Sequence, residues 1–422
     1  MSETVITAKN GVKIYTYKNS AQHGFQMSVF VRAGSMYEKK GEGGITHFLE
    51  HILIRNVASM MDGKLYAILD MHGLELGAST YSEMVQFSLF GAREKLPIAA
   101  EILCKIFCPI TLTRAEIDAE RNRIKAEIRE SGDRTSLASF TNSIVHKGTT
   151  LSESIAGSIA SVNALTRRRL ESYRRSIFTR ENVFVYLTGG ITDEDVSMVA
   201  KSLDVYELPS CKPRMNIAPI PTDFGKRAGS VYIKSGDFTM IRFTFDLDMA
   251  RLSVAEADLL YDVLLSGNNS RLFLELSERL GYCYDVAGNL ERYKNIGTLS
   301  FYYELREAHL YDATERTIDI LKRLKSALIP DTECMKSGYV TNAGMLLDDV
   351  RELNFTFAYD NHIMDLGYSD VFDRADTYDK ITPQRLREVA EEIFRPENLT
   401  LTIKGNKRRI DRERLIELIK EF

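Results

Sequence analysis

Cysteine is scarce in this chain of 422 residues. There are five, an odd number, which excludes a framework that pairs every thiol in a disulfide. Cys104 and Cys108 stand four apart among Ile102, Leu103, Ile106 and Phe107, a setting for buried thiols rather than metal ligands. Cys211, Cys283 and Cys334 are scattered, and nothing marks a cysteine nucleophile. Long apolar runs are also missing: none approaches the ~18 residues of a membrane span. The net charge of −4 gives no push toward nucleic acid, and the basic stretches Arg167-Arg168-Arg169 and Arg174-Arg175 read as a solvated helix face. Gly41-Glu42-Gly43-Gly44 is not followed by Lys-Ser/Thr, so it reads as a sharp turn and not as a phosphate loop. The opening Met1-Ser2-Glu3-Thr4-Val5 has neither a basic-then-apolar leader nor an arginine-rich presequence, and the expected location is cytoplasmic.

Histidine is rare too, at seven residues, yet two of them stand together in His47-Phe48-Leu49-Glu50-His51. Positions four apart on a helix lie one above the other, so two neutral imidazoles can grip one metal ion. The order His-x-x-Glu-His is the inverzincin arrangement, in which the intervening glutamate takes a proton from a metal-activated water. Ile45, Phe48, Leu49, Ile52 and Leu53 follow helical spacing, which predicts one packed face and puts His47, Glu50 and His51 on the opposite one. Of the other histidines, His72 precedes Gly73 and reads as a loop histidine at a helix end rather than a second metal site, and His23, His146, His309 and His362 have no ligand spacing.

A third ligand is expected at Glu127, 76 residues after His51. Thr113 and Glu116 read as a capping box that opens a helix, and Ile117, Ile124 and Ile128 mark its buried stripe. Glu120 and Glu127 fall on that stripe, away from a wet face carrying Arg121, Arg123 and Arg129. An inward carboxylate is unfavourable unless paired or bound to a metal. Glu127 is therefore assigned to the metal, and Glu120, two turns earlier, to orienting a ligand through a hydrogen bond.

The chain also repeats itself at an offset of 216 residues. Leu165-Thr166-Arg167-Arg168-Arg169-Leu170 returns as Ile381-Thr382-Pro383-Gln384-Arg385-Leu386, and Ile177-Phe178-Thr179-Arg180-Glu181-Asn182-Val183 as Ile393-Phe394-Arg395-Pro396-Glu397-Asn398-Leu399. Each copy then runs through a β-rich segment, 184–187 or 400–403, to Gly189 or Gly405. Duplication explains this better than accident. Four of the nine prolines, Pro209, Pro213, Pro219 and Pro221, lie between the copies. That density predicts a linker at 209–228 between a zinc-binding domain at 1–208 and a homologous domain at 229–422. The fold class is α+β. Strands are expected at 26–31, 84–90, 230–233, 240–245 and 298–303, and helices around 255–265 and 312–328.

With the helical glutamate 76 residues beyond it, the His-x-x-Glu-His segment resembles the pitrilysin family, which includes insulin-degrading enzyme, mitochondrial processing peptidase and small bacterial processing peptidases. The likeness extends to Ala33-Gly34-Ser35-Met36-Tyr37-Glu38 ahead of the motif and to Ser270-Arg271-Leu272-Phe273 and Gly281-Tyr282-Cys283-Tyr284 in the second half. The resemblance implies two homologous domains, each a mixed sheet with helices on one face, closing like a clamshell around a peptide chamber. It implies a zinc endopeptidase acting on short or unfolded peptides, of the kind that processes leader peptides, with Glu50 as general base. Substrate would add as a β-strand along Gly77, Ala78 and Ser79, with Tyr284 contributing from the second half. The family usually has Asn at the position of Gly77, and an Arg seven residues before the tyrosine, where this chain has Ser277. Those departures keep open a zinc-bearing subunit of a heteromeric peptidase that needs a partner chain; the other alternative in the family, a non-catalytic structural or binding subunit, is opposed by the intact set of ligands and base. Homodimer or heterodimer formation with a related chain is expected, without nucleic acid.

Overall fold

The computed structural model describes residues 2–132, 136–212, 214, 217–219, 230–267 and 269–422. Most of the expected linker, namely 213, 215–216 and 220–228, lies outside the described residues. The chain forms two compact units. The first comprises Met1–Asp133, Glu153–Asn216 and Gly344–Val371, and the second Arg134–Ser152, Ile217–Ala343 and Phe372–Phe422. Compared with a division at 1–208 and 229–422, residues 134–152 and 344–371 each join the unit built mainly from the other half of the sequence.

The first unit holds the strands β1 (Glu3–Thr7), β2 (Lys13–Lys18), β3 (Gly24–Val31), β4 (Glu75–Thr80), β5 (Val85–Ala92) and β6 (Val183–Gly189) in the order β1-β2-β6-β3-β5-β4. Strand β2 runs parallel to β6, and the remaining pairs are antiparallel. The second unit holds β7 (Ser230–Ser235), β8 (Thr239–Leu247), β9 (Ala287–Arg292), β10 (Gly297–Leu305) and β11 (Leu399–Gly405) in the order β7-β11-β8-β10-β9. Strand for strand this is the order β2-β6-β3-β5-β4, including the one parallel pair, β7 with β11. The mixed α/β class and the duplication are therefore visible in topology.

The repeat holds to the residue. Helices Arg167–Ile177 and Pro383–Ile393 lie 216 apart, and their N-caps Thr166 and Thr382 each accept the backbone N–H three residues on. Strands β6 and β11 start and end 216 apart. His146 and His362, also 216 apart, sit in the two exchanged segments. His362 Nε2 lies 2.9 Å from Glu3 in the first unit, and His146 Nε2 lies 3.8 Å from Glu291 in the second.

The exchanged segment 344–371 explains why β3 is buried along nearly its whole length. Its Met27, Val29 and Val31 pack into the helix-side core with Phe48, Leu49, Ile52 and Leu53. Phe30 faces the other way, into a cluster with Phe184, Tyr186, Leu353, Phe357 and Ala358. The first sheet is thus covered on both faces, whereas the resemblance implies helices on one face only. An alternating strand cannot reveal which later segment covers its second face. Among the described residues no helix is long and apolar enough to cross a membrane.

Candidate metal centre

The site is built on the helix Ile45–Met60. Phe48, Leu49, Ile52 and Leu53 are fully buried, as their spacing predicts. The N-cap is Gly44, in the left-handed region at φ 84°, and a Cβ there would stand 2.5 Å from the carbonyl oxygen of Ala156. Gly44 offers no side chain, so the helix start is served from upstream: Glu38 accepts the N–H of Gly44 and of Thr46, both at 2.9 Å. Burial pushes the Glu38 carboxyl up while these bonds pull it down, and burial wins. A carboxylate at the positive end of the helix fixes its entry. Sequence reasoning missed this role because the capping signature looks for the residue at the cap itself, not six positions earlier.

The helix that carries Glu120 and Glu127, Arg114–Glu130, opens with the expected capping box, in which Thr113 and Glu116 bond reciprocally. Glu120 is buried as expected, but Glu127 is not: its side chain is 46% exposed. Of the two carboxylates on the stripe, Glu120 alone points inward. Arg121 leaves the expected wet face too. Its guanidinium stacks over Phe48 with 5.0 Å to the ring centroid and donates to the carbonyl of Val162. Arg174 likewise is buried, held by Glu171 and the Phe107 carbonyl rather than solvated.

His47, His51 and Glu127 each offer one ligand atom, and these atoms lie within 4.8 Å of one another. Among the described residues they are the one group that meets this condition. Nε2 of His47 is 3.5 Å from Glu127 Oε1, and Nε2 of His51 is 3.6 Å from Glu127 Oε2. Tetrahedral zinc with ligand bonds of about 2.1 Å separates its ligand atoms by roughly 3.4 Å, so the donor set fits zinc in spacing and in kind. Burial, reinforced by neighbouring His51, pushes His47 down to about 4, which keeps its imidazole neutral and ready to ligate. Nδ1 of His51 lies 3.4 Å from Glu120 Oε2, and the other oxygen of Glu120 accepts Nη1–H of Arg55 at 2.7 Å. Burial would raise the Glu120 carboxyl, but its bonds to His51 and Arg55 outweigh that and hold it below the usual range.

Glu50 shares the side of the helix with the histidines yet is buried, unlike a residue on an open face. Its Oε2 accepts the hydroxyl of Thr80 at 2.8 Å, and burial raises its pKa despite that bond. Thr80 ends β4, one of the two edge strands of the sheet, which also carries Gly77, Ala78 and Ser79. A Cβ at Gly77 would stand 2.8 Å from Ser88 Oγ on β5, so the cross-strand hydroxyl occupies the space of a side chain. Beside Glu50 and His51 opens a cavity of about 580 Å³ bounded by Ile54, Leu76 and Ala78. Tyr284 belongs to the second unit, where its side chain is 97% exposed and its carbonyl accepts the Ser277 hydroxyl at 3.0 Å. Arg279 is engaged by Glu275.

The structure resembles a protease from Helicobacter pylori (TM-score 0.83, 16% identity, 96% of this chain and 99% of that one). It also resembles the periplasmic protease PqqL of Escherichia coli (TM-score 0.79, 17% identity, 99% of this chain and 50% of that one). In sequence it is 24% identical to an uncharacterized zinc protease of Mycobacterium tuberculosis, over 78% of this chain and 76% of the relative. It is 26% identical to the beta subunit of the rat mitochondrial-processing peptidase, over 50% of this chain and 45% of the relative. Residues 13–159 match the insulinase family, peptidase family M16, and residues 164–336 match the peptidase M16 inactive domain. The first match contains His47, Glu50, His51 and Glu127, while the second falls where the described residues offer no comparable ligand group. Together the two matches span most of the chain, and the chain belongs to the M16 peptidase family.

Proposed function

We propose that the protein is a zinc-dependent endopeptidase that hydrolyses short or unfolded peptides. The observation that carries this reading is the convergence of His47, His51 and Glu127 with a buried, hydrogen-bonded Glu50 beside them. A zinc ion held by those three residues would lower the pKa of a water and polarise the scissile carbonyl. Glu50 would accept a proton from the attacking water and hand it to the departing amine. Burial raises its pKa, which favours the protonated form that the second of these tasks needs. Glu120 fixes the orientation of His51 and keeps its Nε2 directed at the site.

The edge strand β4 pairs with β5 on one side only. An extended peptide laid along Gly77, Ala78 and Ser79 would gain backbone hydrogen bonds with little regard to sequence. Thr80 at the end of that strand would then couple substrate position to Glu50. Trimming of a leader peptide is a role this chemistry suits.

A second reading, a zinc-bearing subunit that needs a partner chain, draws on Ser277. Its hydroxyl is turned onto the carbonyl of Tyr284 and leaves that position without a cation for substrate. The test is cleavage of a mixed peptide library by zinc-loaded wild type and by Glu50→Gln, with zinc measured on both. Cutting by wild type alone, with zinc on both proteins, supports the first reading. Zinc on both with no cutting by either removes it for the chain alone, and the mass of the purified species then decides for or against a partner.

A further inference from the structure

The cavity beside Glu50 carries charge that the reaction itself does not use. Its walls near the site are apolar, formed by Ile54, Ala58, Leu76 and Ala78. Two cations and four carboxylates also line it: Arg55, Arg123, Glu50, Glu116, Glu120 and Asp62. Most of these have fixed partners. Glu50 takes the Thr80 hydroxyl, and Glu116 takes the N–H and hydroxyl of Thr113 at 2.8 and 2.7 Å. Glu120 takes Arg55 at 2.7 Å and faces His51 at 3.4 Å. Asp62 is exposed.

Arg123 differs. It lies three residues after Glu120 and four before Glu127, on the helix face that carries the ligand. Its side chain is 70% exposed, and its nearest ion-pair partner, Glu120 Oε2, is 3.9 Å away and already shared with His51. A guanidinium has five donors in a planar fork suited to carboxylates. Arg123 therefore stands in the cavity with donors to spare, within electrostatic reach of Glu50.

Building on the endopeptidase reading, we propose that Arg123 sets the substrate class: peptides bearing an acidic side chain within one or two residues of the scissile bond. The apolar walls take the stem of a glutamate or aspartate side chain, and the Arg123 fork takes its carboxylate. Helical periodicity puts Arg123 on a solvated face, and periodicity does not tell open solvent from a solvent-filled cavity.

The experiment uses the zinc-loaded full chain and a labelled peptide series in which Glu, Gln or Lys stands at each position in turn of an otherwise neutral sequence. Cleavage is measured with wild type, and binding by fluorescence anisotropy with Glu50→Gln, which separates recognition from turnover. At one position flanking the cut, Glu is expected to exceed Gln by about tenfold, as for a partly solvated charge-assisted pair, and the ratio should shrink with added salt. In Arg123→Ala that ratio should fall to about one, Arg123→Lys should restore part of it, and Arg123→Glu should favour Lys. Zinc stoichiometry on each variant reports that the site is still folded. Equal handling of Glu and Gln at every position, or a Glu preference that survives Arg123→Ala, overturns the proposal. If wild type cuts nothing yet the binding preference is present and depends on Arg123, the endopeptidase reading falls and the acidic-peptide site stands.

Discussion

Glu120 Oε2 lies 3.4 Å from Nδ1 of His51, on the side of the ring away from Glu127. A carboxylate in that place fixes the tautomer of the imidazole and makes its Nε2 a better donor to a metal. Glu120→Gln should leave the fold intact and weaken zinc binding by about 10- to 100-fold. Competition against a chromophoric chelator measures this. Unchanged affinity would reduce Glu120 to a partner of Arg55.

Glu50 is assigned to proton transfer and not to metal binding. Glu50→Gln should keep zinc stoichiometry while lowering kcat by at least about a hundredfold. His47→Ala or His51→Ala should instead lose the metal itself. The contrast is read by elemental analysis alongside peptide turnover, and loss of zinc from Glu50→Gln would contradict the division of roles.

Gly44 starts the helix that carries His47 and His51 at φ 84°, with no room for a Cβ beside Ala156. Gly44→Ala should combine backbone strain with a steric clash and destabilise the first unit by roughly 2 kcal/mol or more. Glu38 depends on the same turn, so zinc affinity should fall in parallel. Chemical denaturation with and without zinc checks both effects, and a variant as stable as wild type would show that the turn relaxes freely.

In the second unit Glu256 caps the helix Val254–Leu265 through Ser253 and pairs with Arg385 at 2.5 Å. Burial would raise its carboxyl, but the bonds from Arg385 and Ser253 outweigh burial and hold it below its ordinary range. A depressed carboxylate contributes stability above its unfolded pKa, about 4.3, and loses it as pH falls through the folded value. Glu256→Gln should therefore cost about 1–2 kcal/mol at pH 7, and its deficit should close as the pH drops below about 4. Urea unfolding at several pH values tests this. A deficit that stays constant with pH would assign the effect to shape rather than charge.

Much of the site was legible in the chain itself. The spacing of His47, Glu50 and His51 against Phe48, Leu49, Ile52 and Leu53 determines a helix with one packed face, because both patterns obey the same helical period. Thr113 and Glu116 determine where the second helix begins, since capping is a local hydrogen-bond exchange. The 216-residue repeat determined the matching helix, cap and strand of the two units, because related segments fold by the same local rules.

What the chain alone left open were contacts between residues far apart in it. Glu38 on the start of the helix, Thr80 on Glu50 and Arg55 on Glu120 are such contacts. So is the exposure of Glu127, whose place on an apolar stripe predicts burial, although that end of the helix is left open. The exchange of 134–152 and 344–371 between the two units belongs here as well. Periodicity reports which face of an element is covered; which distant segment covers it, and which side chains then meet, is settled only when the whole chain packs.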